Sequence, residues 1–219
     1  MLSIVDSSAS GWLYTIVAAI ILGRVISDYS WTVFYKYRGA QHFFFGSIVV
    51  LFAFASMNAG ILPGMNFHIL GYTAITLMMG WRLAFVASAL VEVLLGFSGA
   101  IHWHDVGINF LLNAALPILF SYYFFQIVYR RLKHNPFIYI LVAGFINAAL
   151  TQGLHTVILS AWFGWHETYA WSKIWDDYCR YLPLIMFPEG VVNGMFITGM
   201  VVFHPRWLST FDEDSYFRS

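Results

Sequence analysis

His68, His102, His104 and Asp105 are the side chains of this 219-residue sequence best suited to holding a divalent metal ion. A neutral imidazole is the commonest metal ligand, and a neighbouring carboxylate can either ligate or orient a ring from behind. His102-Trp103-His104-Asp105 is the densest cluster, and alternation along a loop can aim both imidazoles the same way. His68 lies in Pro63-Gly-Met-Asn-Phe-His-Ile-Leu-Gly-Tyr-Thr73, a run of turn formers, polar groups and small residues. For His68 the alternative is a packed imidazole bonded to a carbonyl; for His102 and His104 it is an interfacial position with no ligand.

A second set is polar where its surroundings are apolar: Glu92, Asn109, His155 and Glu189. Ionisable groups inside a membrane span are costly and face a cavity or a partner. His155 follows Asn147, Thr151 and Gln152 at helical spacing, a stripe that either lines a polar path or ties helices together. Glu189 follows Pro188 ahead of Gly190 and Gly194, an interruption that frees carbonyls for a cation or admits a close helix neighbour. Glu92 and Glu189 suit proton coupling, or else stay protonated or pair with a basic group such as Arg24. Met57 and Met65 would favour a soft ion such as Cu(I). The single cysteine, Cys179, excludes an intrachain disulfide and a Cys-x-x-Cys site.

The elements that must position these groups follow from composition. The chain is 60% hydrophobic and only 10% charged, against about 25% charged in a soluble domain. This predicts an all-α integral membrane protein in which seven helices consume the chain, at about 20 residues per span. They are placed at Gly11 to Asp28, His42 to Ala59, Ile61 to Gly80, Arg82 to Ala100, Val106 to Tyr129, Phe137 to Phe163 and Leu182 to Phe203. Gly80-Trp81-Arg82 reads as a tight hairpin between the third and fourth, and Pro63-Gly64 as an irregular entry into the third. Residues 1–208 form one domain, and the polar, acidic segment 209–219 is expected to be a frayed tail. Trp12, Trp31, Trp81, Trp103, Trp162, Trp165 and Trp207 suit interfacial anchors.

Basic residues alternate between connections. Arg24, Lys36, Arg38, Arg82, Arg130, Arg131, Lys133 and Arg206 fall on one side, which the positive-inside rule makes cytoplasmic. Asp6, His102 to Asp105 and the segment from Glu167 to Arg180 fall on the other. The amino terminus is therefore expected outside and the carboxyl terminus inside, in a multi-pass protein of the plasma (inner) membrane. The start lacks a basic n-region and a cleavage site, so the first helix is expected to be retained. Zero net charge suggests no nucleic-acid partner, and the absence of Gly-x-x-x-x-Gly-Lys-Ser/Thr leaves the sequence without that nucleotide site.

The stretch from Asn66 to Lys133 resembles the CbiM/NikM family, the substrate-binding membrane components of energy-coupling-factor transporters for cobalt and nickel. His68-Ile-Leu-Gly71-Tyr-Thr73-Ala74 is similar to the family's third-helix motif, Val106-Gly107-Ile-Asn109 to its Leu-Gly-Ala-Asn element, and Val128-Tyr129-Arg130-Arg131 to the end of the next helix. Pro188-Glu189-Gly190 through Pro205-Arg206-Trp207 resembles the final helix. The resemblance implies seven helices, no enzymatic activity, and a transition-metal ion as substrate, with Co, Ni, Zn and Cu not distinguished. It also implies a transmembrane coupling protein and cytoplasmic ABC ATPases as partners. Family members that bind nickel or cobalt start Met-His, and their clamp joins the terminal amine, that histidine and the third-helix histidine. This sequence reads Met1-Leu2-Ser3, so His68 alone carries over, and His102 and His104 are the expected replacements. Two other functions fit the residues: an intramembrane haem or redox protein using His68 and His155 as facing axial ligands, and a membrane assembly subunit whose polar groups only pack helices.

Overall fold

Pro63 and Gly64 cannot continue a helix, and in the computed structural model of the chain they form the turn of a small hairpin. It pairs β1 (Ala59–Leu62) antiparallel with β2 (Met65–Phe67). The structure describes residues 8–36, 38–57 and 59–217. The predictions resting on Met1-Leu2-Ser3 and on Asp6 fall outside them. Around the hairpin stand α1 (Ser8–Ser27), α2 (Arg38–Ser56), α3 (Tyr72–Phe97), α4 (Trp103–Arg131), α5 (Pro136–Trp165) and α6 (Leu182–Phe203). Each is part of a helical segment long and apolar enough to cross a bilayer, six such segments among the described residues.

The seven-helix expectation needs correction in its third member. Residues predicted as helix from Ile61 onward are hairpin up to Phe67 and irregular chain to Gly71; helix begins at Tyr72. Gly80 then breaks α3 with φ 79° and ψ 161°, a conformation that is essentially glycine's alone. In a straight helix Tyr72 and Glu92 would stand about 30 Å apart, yet both line one cavity. The two arms of α3 therefore fold back on each other at the predicted hairpin. The first arm, Tyr72 to Met79, is only about 12 Å long, less than half the hydrocarbon thickness of about 30 Å.

That short arm is the centre of the molecule. Every residue from Tyr72 to Met78 is buried, so it has no lipid-facing side, and its polar groups are bonded from three directions. At its start, Leu70 N and Gly71 N donate to the Glu189 carboxylate at 2.8 and 2.9 Å, and Ala74 N donates to Asn193 Oδ1 at 2.9 Å. Along its side, Thr73 joins Ser121 of α4 and Thr151 of α5, and Asn147 donates to Ser121. At its end, the break at Gly80 frees carbonyls, and residues beyond α6 cap them: Ser209 N donates to Met78 O and the Thr210 hydroxyl to Leu77 O. The tail expected to fray is thus partly ordered, with Phe211 and Tyr216 buried beside Tyr139. Those carbonyls need a donor once Gly80 ends the helix.

The outer surface is the reverse of a soluble protein's. Ile16, Ile20, Phe45, Val49, Leu141 and Val157 are exposed, whereas Thr73, Thr76, Ser88, Ser121 and Asn147 are wholly buried. Lipid tails in place of water reconcile both facts, since polar groups there must find partners inside.

The two ends separate as the charge pattern predicts. One end gathers Lys36, Arg38 and Arg206 in a cleft that shares Tyr29, Met79 and Ser209 with a second cleft holding Arg82. The other carries the hairpin, His102 to Asp105, and the segment after α5. There Tyr169 Oη donates to Pro63 O at 2.8 Å and Phe67 stacks on Tyr178 at 4.4 Å.

At this end α1 meets α4 through glycine. A Cβ on Gly107 would lie 2.2 Å from Thr15 Cα and 2.4 Å from Thr15 N, and Gly107 N donates to Thr15 Oγ1. Gly107→Val is expected to push α1 away and to cost about 1–3 kcal/mol of overpacking. A fall in the thermal midpoint of the detergent-solubilised protein, with Gly23→Ala as the neutral control because nothing lies within 4 Å of Gly23, checks it.

Candidate metal-ion site

A cavity of about 120 Å³ opens beneath the hairpin, where irregular backbone at 68–71 leaves a gap that helices would have filled. Of the residues singled out from the sequence, His68, Glu92, His102, Asp105, Asn109 and His155 all line it. They come from five separate places in the chain: the loop after β2, the second arm of α3, the loop before α4, α4 itself, and α5.

His68 is placed by the hairpin and by the carboxylate that anchors its loop two residues later. His155 is 1% exposed, and its Nε2 lies 3.1 Å from Asn113 Oδ1. Asn113 donates in turn to Asn109 Oδ1 at 2.9 Å, and Asn109 donates to the Asp105 carbonyl at 2.9 Å. This run crosses a π-helical turn, Phe110–Ala115, a feature frequent at functional sites because it shifts the register of one helix face. The His68 and His155 rings stand edge to face with centroids 6.1 Å apart. Glu92 is 4% exposed and sits in the same wall.

Other predicted site residues lie elsewhere. His104 is outside the cavity lining; it stacks parallel on His102, with centroids 5.3 Å apart, and its Nε2 lies 3.7 Å from Asp105 Oδ2. Glu189 is not part of this cavity wall. Its carboxylate is consumed by Leu70 N, Gly71 N and Asn193 Nδ2, not by Arg24. Of the two methionines, Met65 is fully buried among Leu62, Ile108 and Phe163, and Met57 is 77% exposed, so neither serves as a soft ligand in this cavity. The Asn147 and Thr151 stripe holds helices together, whereas His155 on the same helix faces the cavity. Among the described residues, no three His, Cys, Asp or Glu side chains converge closely enough to hold an ion between them. The predicted four-ligand set is therefore split between the cavity and the loop above it.

Asn66, Tyr72 and Asn113 were not singled out from the sequence and also line the cavity. Asn113 could have been found: it follows Asn109 by four residues inside an otherwise apolar span, one helical face.

The space fixes the size of what fits. About 120 Å³ is well under the 300–1,000 Å³ of sites for organic ligands, so an ion with a few waters fits and a porphyrin does not. The lining supplies imidazole nitrogens, carboxylates and carboxamides, the donor set of a borderline transition-metal ion.

Comparison with curated proteins gives no match, and comparison with solved structures gives none. The family model described as "Cobalt uptake substrate-specific transmembrane region" matches residues 7–207. That span takes in all six long apolar helices, the hairpin and every residue of the cavity wall. The chain is a multi-pass membrane protein that belongs to the CbiM family of cobalt uptake transmembrane components.

Proposed function

We propose that this chain is the substrate-specific membrane subunit of a transition-metal importer, accepting Co(II) or Ni(II) at the His68 cavity from the outer face. The observation that carries this reading is His68 itself. It sits on an irregular loop at the mouth of a polar cavity, inside a bundle where Thr73, Ser121, Asn147, Glu189 and Asn193 are bonded to one another or to backbone. Family membership supplies the transport role and favours cobalt or nickel over zinc and copper. The sequence contains no Walker-A motif, so the reading assigns energy coupling to a partner: a transmembrane coupling protein and cytoplasmic ATPases. The test is a titration of the purified chain with Co(II) and Ni(II), together with uptake by cells carrying it. Saturable binding of one ion per chain is the expected result; no binding of either ion sinks the proposal.

The orientation is part of the same reading, because an importer must present the cavity outside. With Cys179 replaced by alanine, a cysteine at Lys173 should react with a membrane-impermeant reagent on intact cells. One at Lys133 should react only after lysis. The reverse pattern would turn the molecule over.

A further inference from the structure

Resting on that reading, we infer that the ion is held by a pair of imidazoles, His68 and His155, with Asn113 as the residue that sets the His155 tautomer. The chemistry of the His155 ring points this way. A carboxamide oxygen can only accept, so the contact of His155 Nε2 with Asn113 Oδ1 places the proton on Nε2. Nδ1 is then left with a lone pair, and Nδ1 is buried with no hydrogen-bond partner. A buried acceptor left unmatched costs free energy unless something binds it. His68 lines the same cavity, and its ring stands edge to face with that of His155. An imidazole that donates its far N–H to a carbonyl or carboxamide is the usual support of a metal-ligating histidine.

The spacing agrees. With metal–nitrogen bonds of about 2.0–2.1 Å, two imidazoles on one ion have centroids about 5.2 Å apart at a tetrahedral angle and about 6.4 Å apart when opposite. The observed 6.1 Å lies between these limits. Two imidazoles leave coordination positions open, and water or the Asn66, Glu92 and Asn109 side chains of the same wall can complete the shell. Nothing in this pair needs a histidine in the first residues of the chain. The carboxamide run from Asn113 through Asn109 to the Asp105 carbonyl ties the buried ring to the loop at the cavity mouth.

Pulsed EPR on the detergent-solubilised full chain with Cu(II) as probe counts coordinated imidazoles through their remote nitrogens, and Co(II) titration gives affinities. The wild type should show two imidazoles, and His68→Ala and His155→Ala one each. Each variant should lose at least about tenfold in Co(II) affinity, and the double variant little beyond either, because one ion is shared. Asn113→Leu keeps both imidazoles but should weaken Co(II) about 10–100-fold, the usual range for an outer partner of a ligating histidine. It carries the test if His155→Ala does not fold. A single imidazole in the wild type, lost only in His68→Ala, would overturn the pair and leave the importer reading standing. Absence of any bound ion in the wild type would overturn both.

Discussion

Replacing His68 with alanine should abolish high-affinity Co(II) binding, lowering it by more than the roughly 10–100-fold typical of losing an outer partner. His134→Ala, at the basic end beside Tyr129 and Tyr216, should leave binding near that of the wild type. The asymmetry follows from position. His68 lines the cavity and is held there by the hairpin and its loop, whereas His134 lies at the end from which the short arm of α3 turns back. His104→Ala separates two accounts of this site. If the loop above the cavity had taken over coordination, losing His104 would cost as much as losing His68. The geometry expects a small effect instead, since His104 is stacked outside the cavity wall on His102. Isothermal titration of the three variants decides it: unchanged stoichiometry and affinity in His68→Ala would refute the site.

Why the sequence revealed some of this and not the rest is a matter of which forces act locally. Spans read directly, because apolar length is a local property; so did the reversal at Gly80, where glycine and Trp81-Arg82 interrupt the apolar run. His68 was legible for a related reason, since turn formers around a histidine at membrane depth imply a cavity. The third span was misread because Ile61, Leu62, Met65 and Phe67 are apolar enough for helix, while Pro63-Gly64 makes the turn that lets them pair as strands. Pairing residues such as His68 with His155, 87 positions apart, depends on how α3, α4 and α5 pack, which no local pattern encodes. Glu189 shows the limit most clearly. A carboxylate in an apolar helix marks an important position, yet nothing in the sequence says that its partners are two backbone amides some 119 and 118 residues away.

The resemblance motifs acquire physical reasons in the same way. Gly107 is where the backbone of α1 touches α4, and Asn109 is the middle of the carboxamide run that ends on His155. One residue serves packing and the other, two positions later, serves the cavity. A substitution at Gly107 should therefore act on stability first, whereas one at Asn109 should act on the ion.

Glu189→Ala should be the most destabilising single change in the interior, and its effect on the ion should be indirect. Its carboxylate accepts from Leu70 N, Gly71 N and Asn193 Nδ2, so truncation strands two buried backbone donors, at about 1–3 kcal/mol each. Asn193 would also lose a partner that orients it toward Ala74 N. The start of the short arm should loosen, and His68 with it. Hydrogen exchange should report faster loss of protection at residues 70–74 than at 82–96, the opposite arm of α3. Glu189→Gln should fall between: its amide oxygen can keep Gly71 N and Asn193, but its NH₂ group would face the Leu70 donor. Metal distinguishes this role from that of a ligand. An ion that binds only the ordered arm stabilises it by mass action, so excess Co(II) should restore much of the lost thermal midpoint in Glu189→Ala and little of it in His68→Ala. Equal exchange at residues 70–74 in wild type and Glu189→Ala would show that the carboxylate does not hold the arm.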